Sequence, residues 1–75
     1  MIKEHDRIIL TSDLEGEDLK AGDVGTVVHL HSQGEAYEVE FVTLNGQTVT
    51  VTTLQASQVR PIGKHEIAHA RLLAS

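Results

Sequence analysis

Apolar and polar residues alternate along several short stretches of this chain, which is the pattern of β-strands that bury one face. The alternation predicts five strands, over residues 7–11, 24–31, 36–42, 47–53 and 59–62. A single helical turn over residues 54–57 fits between the last two strands. Gly22 occupies the position of a type II turn that requires a positive φ. Gly25 lies inside the second strand, where glycine indicates sharp coiling or the close approach of another backbone.

The strongest turn signal is Asn45-Gly46, between the third and fourth strands. A two-residue loop would place Phe41 opposite Thr50, so that each face of the hairpin would mix apolar and polar residues. A three-residue loop with a bulge at the glycine places Phe41 opposite Val49 and leaves Thr50 and Thr52 pointing outward with the glutamates of the third strand. The second register gives one apolar face, and a slip of one residue would destroy it. The sequence therefore predicts the three-residue loop.

The five strands predict a mostly β fold, a small five-stranded SH3-like barrel over residues 1–62. An open meander sheet is the alternative. Residues 63–75 differ in character and contain good helix formers, so they predict a short C-terminal helix. A 75-residue chain has a thin core that takes up nearly every large apolar side chain. Little is left to build a deep catalytic pocket.

The charge balance changes the range of functions that this fold could serve. The net charge is −5, with eleven acidic residues against six basic ones, and only two residues are aromatic. Nucleic-acid binding needs basic residues and base-stacking platforms, so a protein partner with a basic surface is favoured. There is no cysteine to form a disulfide or a thiolate metal site. With no apolar segment of membrane-spanning length, the expected location is cytoplasmic.

The segment His65-Glu66-Ile67-Ala68-His69 matches the His-Glu-x-x-His pattern of zinc proteases. A catalytic zinc needs a third protein ligand, and no His, Asp, Glu or Cys follows His69. His29 and His31 alternate along a strand and are expected to share one exposed face. We therefore predict no catalytic residue, no metal ligand and no cofactor, and a metal-dependent hydrolase is the least favoured function.

The remaining acidic, aromatic and apolar residues of interest suggest a surface that binds a protein partner. The acidic loop of residues 13–18 is expected to dock a basic partner, together with the outer face of the third strand and an apolar patch on the tail. The candidate partner-binding residues are Asp13, Glu15, Glu17, Asp18, Tyr37, Glu38, Glu40, Ile67 and Leu72. A homodimer formed through the tail is a second possibility.

Several blocks of the sequence resemble a family of short bacterial proteins catalogued as domain of unknown function 4926. These blocks are residues 6–11, 13–14, 19–28, 36–41, 44–49, 59–61 and 66–71. Within them, residues 22–28 also resemble the turn and strand of KOW-type SH3-like modules, which often contact RNA.

The resemblance implies a small β-barrel domain without assigned catalytic residues. It also implies a partner among toxin–antitoxin or defence-type proteins, because some members look like components of such gene pairs. The leading hypothesis is therefore a non-enzymatic protein–protein interaction module. A KOW-like barrel associated with nucleic acid is the alternative.

Overall fold

The computed structural model describes residues 2–73 and shows five strands and two short 3₁₀ turns. The strands are β1 (Arg7–Leu10), β2 (Val24–His31), β3 (Ala36–Val42), β4 (Thr48–Gln55) and β5 (Val59–Pro61). The 3₁₀ turns are Glu15–Glu17 and Ala56–Gln58. All strands join one antiparallel sheet in the order β4-β3-β2-β1-β5. The mostly β, five-stranded architecture predicted from the sequence is confirmed, and the SH3-like barrel stays a prediction.

One face of this sheet forms the core. Its buried apolar residues are Ile8, Leu10, Leu19, Val27, Tyr37, Val39, Phe41, Leu54 and Val59. They follow the alternation of the strands, and Leu19 comes from the loop before β2. The described residues contain no buried side-chain nitrogen or oxygen that lacks a hydrogen-bond partner. The core is therefore small and entirely apolar, as expected for a chain of this length.

Two glycine predictions have different outcomes. Gly22 has φ +97°, and the Asp23 N–H donates to the Lys20 carbonyl at 3.0 Å, so the predicted turn is confirmed. Gly25 is buried where a side chain would meet those of Val39 and Phe41. Side chains, and not another backbone as predicted, therefore make the close approach to Gly25.

The register of the β3–β4 hairpin was predicted wrongly beyond its loop. The Thr43 N–H donates to the Gln47 carbonyl, and Gly46 has φ +90°, as the three-residue loop requires. However, the register shifts between Val42 and Phe41, so that Val49 becomes a bulge and Phe41 lies opposite Thr50. The bulge brings Val49 against the core. It also turns Thr50 and Thr52 toward the core side, although the sequence predicted them to point outward.

The predicted C-terminal helix is wrong. Residues 63–73 form a turn at residues 64–65 and otherwise contain no regular secondary structure, and residues 74 and 75 lie outside the described range. A helix of this length is marginal by itself. In its place, Glu66 pairs with Arg60 of β5 through two contacts of 2.7 Å, and Arg71 pairs with Asp23. The tail is therefore held by ion pairs with Arg60 and Asp23 and not by the hydrogen bonds of a helix.

Candidate functional site

Two glutamates of β3 lie on the outer face of the sheet, and each accepts a hydrogen bond from a threonine of β4. Thr48 Oγ1 donates to Glu40 Oε2 at 2.8 Å, and Thr53 Oγ1 donates to Glu38 Oε2 at 2.7 Å. His31 Nε2 also lies 2.8 Å from Glu38 Oε2. The hydrogen bond from His31 is the main cause that lowers the pKa of Glu38, and the Thr53 hydroxyl adds to it. Glu38 is therefore held as a carboxylate.

A third carboxylate reaches β4 from the opposite face. Glu17, in the first 3₁₀ turn, accepts hydrogen bonds from Thr50 Oγ1 at 3.2 Å and from Thr52 Oγ1 at 2.9 Å. Leu19 anchors the same loop in the core with 3% of its surface exposed. The loop is thus fixed beside β4 by one apolar and two polar contacts. We refer to β4 together with Glu17, Glu38 and Glu40 as the acidic flank.

The strands of the acidic flank and its neighbour β2 contain no Lys or Arg. The sequence has no Lys or Arg between Lys20 and Arg60, an interval that includes all of β2, β3 and β4. Within residues 2–73, the only salt bridges of Lys or Arg side chains are Arg60 with Glu66 and Arg71 with Asp23. The strand order places β1 and β5, which contain Arg7 and Arg60, at the other side of the sheet. The cationic side chains of the sheet therefore lie in β1 and β5, away from β4.

The structure divides the predicted partner-binding residues among separate places. Tyr37 is buried, with 6% of its surface exposed, and belongs to the core, so its assignment to the binding surface is wrong. The alternation of Tyr37 with Val39 and Phe41 already places it on the inner face. Of the acidic candidates, Glu17, Glu38 and Glu40 come together around β4.

The other candidates have local roles or lie elsewhere. Asp13 accepts a hydrogen bond from the Ala21 N–H at 2.8 Å, and the Asp18 carbonyl accepts one from Arg71. Glu15 is exposed in the 3₁₀ turn. Ile67 and Leu72 lie on the tail and are each 94% exposed. The acidic loop therefore contacts the tail through Asp18 and β4 through Glu17.

Sequence reasoning missed the central element of this site, which is β4 itself. The strand carries no charged residue and consists of six consecutive β-branched residues, 48–53, followed by Leu54 and Gln55. That run is visible in the sequence. Its place at one end of the sheet follows only from the pairing of the strands.

The histidines are placed differently from what the zinc-protease pattern requires. Residues 65–69 are not helical, so His65 and His69 lack the one-turn spacing that lets two imidazoles bind one zinc. Glu66 contacts Arg60 instead of standing beside a metal ligand. His29 and His31 share one face, as predicted, with ring centroids 4.8 Å apart. Across residues 2–73, no group of three or more His, Cys, Asp or Glu side chains is arranged to hold a metal ion.

Two side chains of the tail, Glu66 and Arg71, bind to β5 and to the segment before β2. Arg71 donates to both carboxylate oxygens of Asp23, at 2.9 and 2.6 Å, and to the Asp18 carbonyl at 2.8 Å. Burial raises the pKa of Asp23, but the hydrogen bonds from Arg71 and from the Lys20 N–H lower it more, so the net shift is downward. The guanidinium of Arg60 and the Gly63 N–H lower the pKa of Glu66 to about 2.

Acid is expected to release the tail. A carboxyl with a lowered pKa in the folded state contributes stability above its ordinary pKa and loses it as the pH falls toward the folded value. For Glu66 and Asp23 the loss begins below the ordinary values of 4.5 and 3.8, and for Glu66 it is nearly complete once the pH has fallen to about 2. NMR of the amides of residues 64–73 should show tail release while the strands stay folded. Arg71→Ala should loosen the end of the tail already at neutral pH, and tail amides that ignore acid would contradict this expectation.

Comparison with known proteins gives one match. A family model described as domain of unknown function (DUF4926) matches residues 4–61. A search of curated proteins and a search of solved structures each found no significant match. Among the described residues, no helix is long and apolar enough to cross a membrane. The matched range contains all five strands and the whole acidic flank, and it covers well over half of the chain. The chain therefore belongs to the family of the domain of unknown function (DUF4926).

Proposed function

We propose that this chain is a non-enzymatic protein-interaction domain that binds a partner with a basic surface through its acidic flank. The observation that carries the proposal is the charge distribution: three carboxylates surround β4, and the strands β2, β3 and β4 contain no Lys or Arg. Opposite charge across an interface accelerates encounter and excludes wrong partners. Following the resemblance seen in the sequence, the proposed partner is a toxin or defence-type protein of the cytoplasm.

The geometry of the carboxylates supports contact rather than catalysis. Glu17 lies on one face of β4, whereas Glu38 and Glu40 lie on the other, so the three groups do not converge on one point. A general acid and base must reach the same bound substrate within hydrogen-bond distance. Carboxylates on both faces of one strand instead present charge along an extended surface. This arrangement suits a protein partner.

The proposal is tested by purifying the tagged protein from its native host and comparing two double variants that lose the same charge. Glu38→Gln with Glu40→Gln alters the acidic flank, whereas Glu4→Gln with Glu35→Gln removes two exposed carboxylates that are not partner-binding candidates. We expect a stoichiometric basic partner that co-purifies with the wild type and the control but is lost with the flank variant.

Two results would contradict the proposal. One is a partner that both variants retain equally. The other is co-purification of nucleic acid with steep salt dependence, which would favour the nucleic-acid-associated barrel.

A further inference from the structure

The two edges of the sheet are built differently. β5 has three residues, and its Arg60 and Pro61 are of the types that natural proteins place on edge strands to prevent pairing with other chains. β4 has eight residues with no charge and no proline. Its bulge at Val49 lies near the hairpin loop, which leaves a regular segment from Thr50 to Gln55. β4 is therefore the longer and less protected edge.

The pairing with β3 shows which backbone groups of β4 face away from the sheet. The Ala56 N–H donates to the Glu35 carbonyl at 3.1 Å, which marks a hydrogen-bonded position at the end of the hairpin. Opposed residues alternate between hydrogen-bonded and non-hydrogen-bonded pairs in antiparallel sheets. The pairs of Glu38 with Thr53 and of Glu40 with Val51 are therefore non-hydrogen-bonded. The N–H and C=O groups of Val51 and Thr53 point to the free edge.

The contacts around β4 agree with this assignment. The Gln55 N–H, two residues after Thr53, donates away from β3 to the Gln58 side chain at 2.8 Å. In the part of the chain that the structure describes, the sheet pairs β4 with β3 alone. Val51 keeps 50% of its surface exposed. An incoming strand would find two open backbone positions, at Val51 and Thr53.

The charges around the free edge of β4 favour a basic segment over a second copy of this chain. The carboxylates of Glu38 and Glu40 lean over β4 on the outer face, where they accept from Thr53 and Thr48. The carboxylate of Glu17 lies on the inner face. A second copy of this chain paired through β4 would bring two such sets of carboxylates together, and like charges across an interface are costly. An extended segment with Lys or Arg would instead bring cations within reach of both faces.

We propose that the free edge of β4 binds a basic, extended segment of the partner by β-strand addition. Main-chain hydrogen bonds to Val51 and Thr53 would provide affinity. Neighbouring basic side chains, which point to opposite faces of a strand, would pair with Glu17 on one face and with Glu38 and Glu40 on the other. This inference rests on the proposed function, because it names the surface and the kind of segment through which the basic partner binds.

The test uses a synthetic peptide of lysine and threonine, about eight residues long, with lysines at both odd and even positions so that each face carries cations, and NMR of the protein amides. Binding should shift the amide signals of Val51 and Thr53 and slow their hydrogen exchange. A matched peptide with methyl groups on alternate backbone nitrogens keeps the charge but loses main-chain donors, and it should bind about ten-fold more weakly. The variant Val51→Pro, which removes a donor that faces away from β3, should weaken binding by a similar factor.

The outcomes separate this inference from the proposed function. If both peptides bind equally well, or if the signals of Val51 and Thr53 do not move at millimolar peptide, strand addition is wrong. If the native partner depends on Glu38 and Glu40 but binds Val51→Pro as tightly as the wild type, the proposed function stands and strand addition fails. If light scattering shows a dimer that Val51→Pro converts to a monomer, a second copy occupies the edge and the basic segment is wrong.

Discussion

Replacing Gly25 with alanine is expected to lower the free energy of unfolding by about 2–3 kcal/mol. A Cβ atom at this position would lie 2.5 Å from Val39 Cγ1 and 2.9 Å from Phe41 Cε1. Both neighbours are buried, with 0% and 3% of their surface exposed, so neither can move aside into solvent. Overpacking must then shift the β2–β3 contact. In a domain of this size the loss should reduce the melting temperature by roughly 10–20 °C.

Gly16→Ala is the matched control for this prediction, because no atom lies within 4 Å of a Cβ at that position. It should change stability by less than about 0.5 kcal/mol. Urea titration followed by circular dichroism measures both variants. Combining Gly25→Ala with Val39→Ala should cost less than the sum of the two single changes, since the second creates space for the first. Equal stability of Gly25→Ala and Gly16→Ala would refute the explanation.

Replacing Glu17 with alanine is expected to cost about 1–2 kcal/mol and to open the loop of residues 14–19. The carboxylate accepts from two hydroxyls, those of Thr50 and Thr52, on the partly buried inner side of β4. Without it, these hydroxyls lose their protein acceptor on the core side of the sheet. Hydrogen exchange of the loop amides and urea titration report the two effects separately.

Glu15→Ala removes the same charge from the same 3₁₀ turn and serves as the control. Its carboxylate is exposed, so the variant should stay within about 0.5 kcal/mol of the wild type. Glu17→Gln keeps one carbonyl acceptor and should fall between Glu15→Ala and Glu17→Ala. If Glu15→Ala and Glu17→Ala have the same effect, the contribution of Glu17 is one of net charge and not of its contacts with β4.

The strands and turns could be predicted from the sequence because their causes are local. Alternation determines which residues of β3 face the core, and a single positive φ explains Gly22. The register of β4 could not be predicted this way. Thr50 and Thr52 look like outward residues, yet the bulge turns them inward, where Glu17, far away in the sequence, accepts hydrogen bonds from their hydroxyls. The local pattern shows neither the bulge nor this contact between distant segments.

The helix of the tail was predicted wrongly and the position of β4 beside the acidic residues was missed, because both depend on contacts between distant segments. Residues 64–73 have a helix-forming composition but form no helix, and Glu66 and Arg71 instead form ion pairs with Arg60 of β5 and with Asp23 before β2. The acidic residues of the site were recognised individually. The sequence did not show that these residues surround β4, because the position of β4 at the edge of the sheet follows only from the strand order. Sequence patterns identify elements well, whereas their assembly depends on pairings that no local pattern encodes.

The strand order also determines when this protein can finish folding. β1 pairs with β2 on one side and with β5 on the other, although β5 is separated from β1 by most of the chain. Such distant pairing slows folding, because a large loop must close before the contact forms. During synthesis on the ribosome, β2, β3 and β4 can assemble as consecutive hairpins while one side of β1 still lacks its neighbour. The N-terminal strand is therefore completed last, when residues 59–61 have left the exit tunnel.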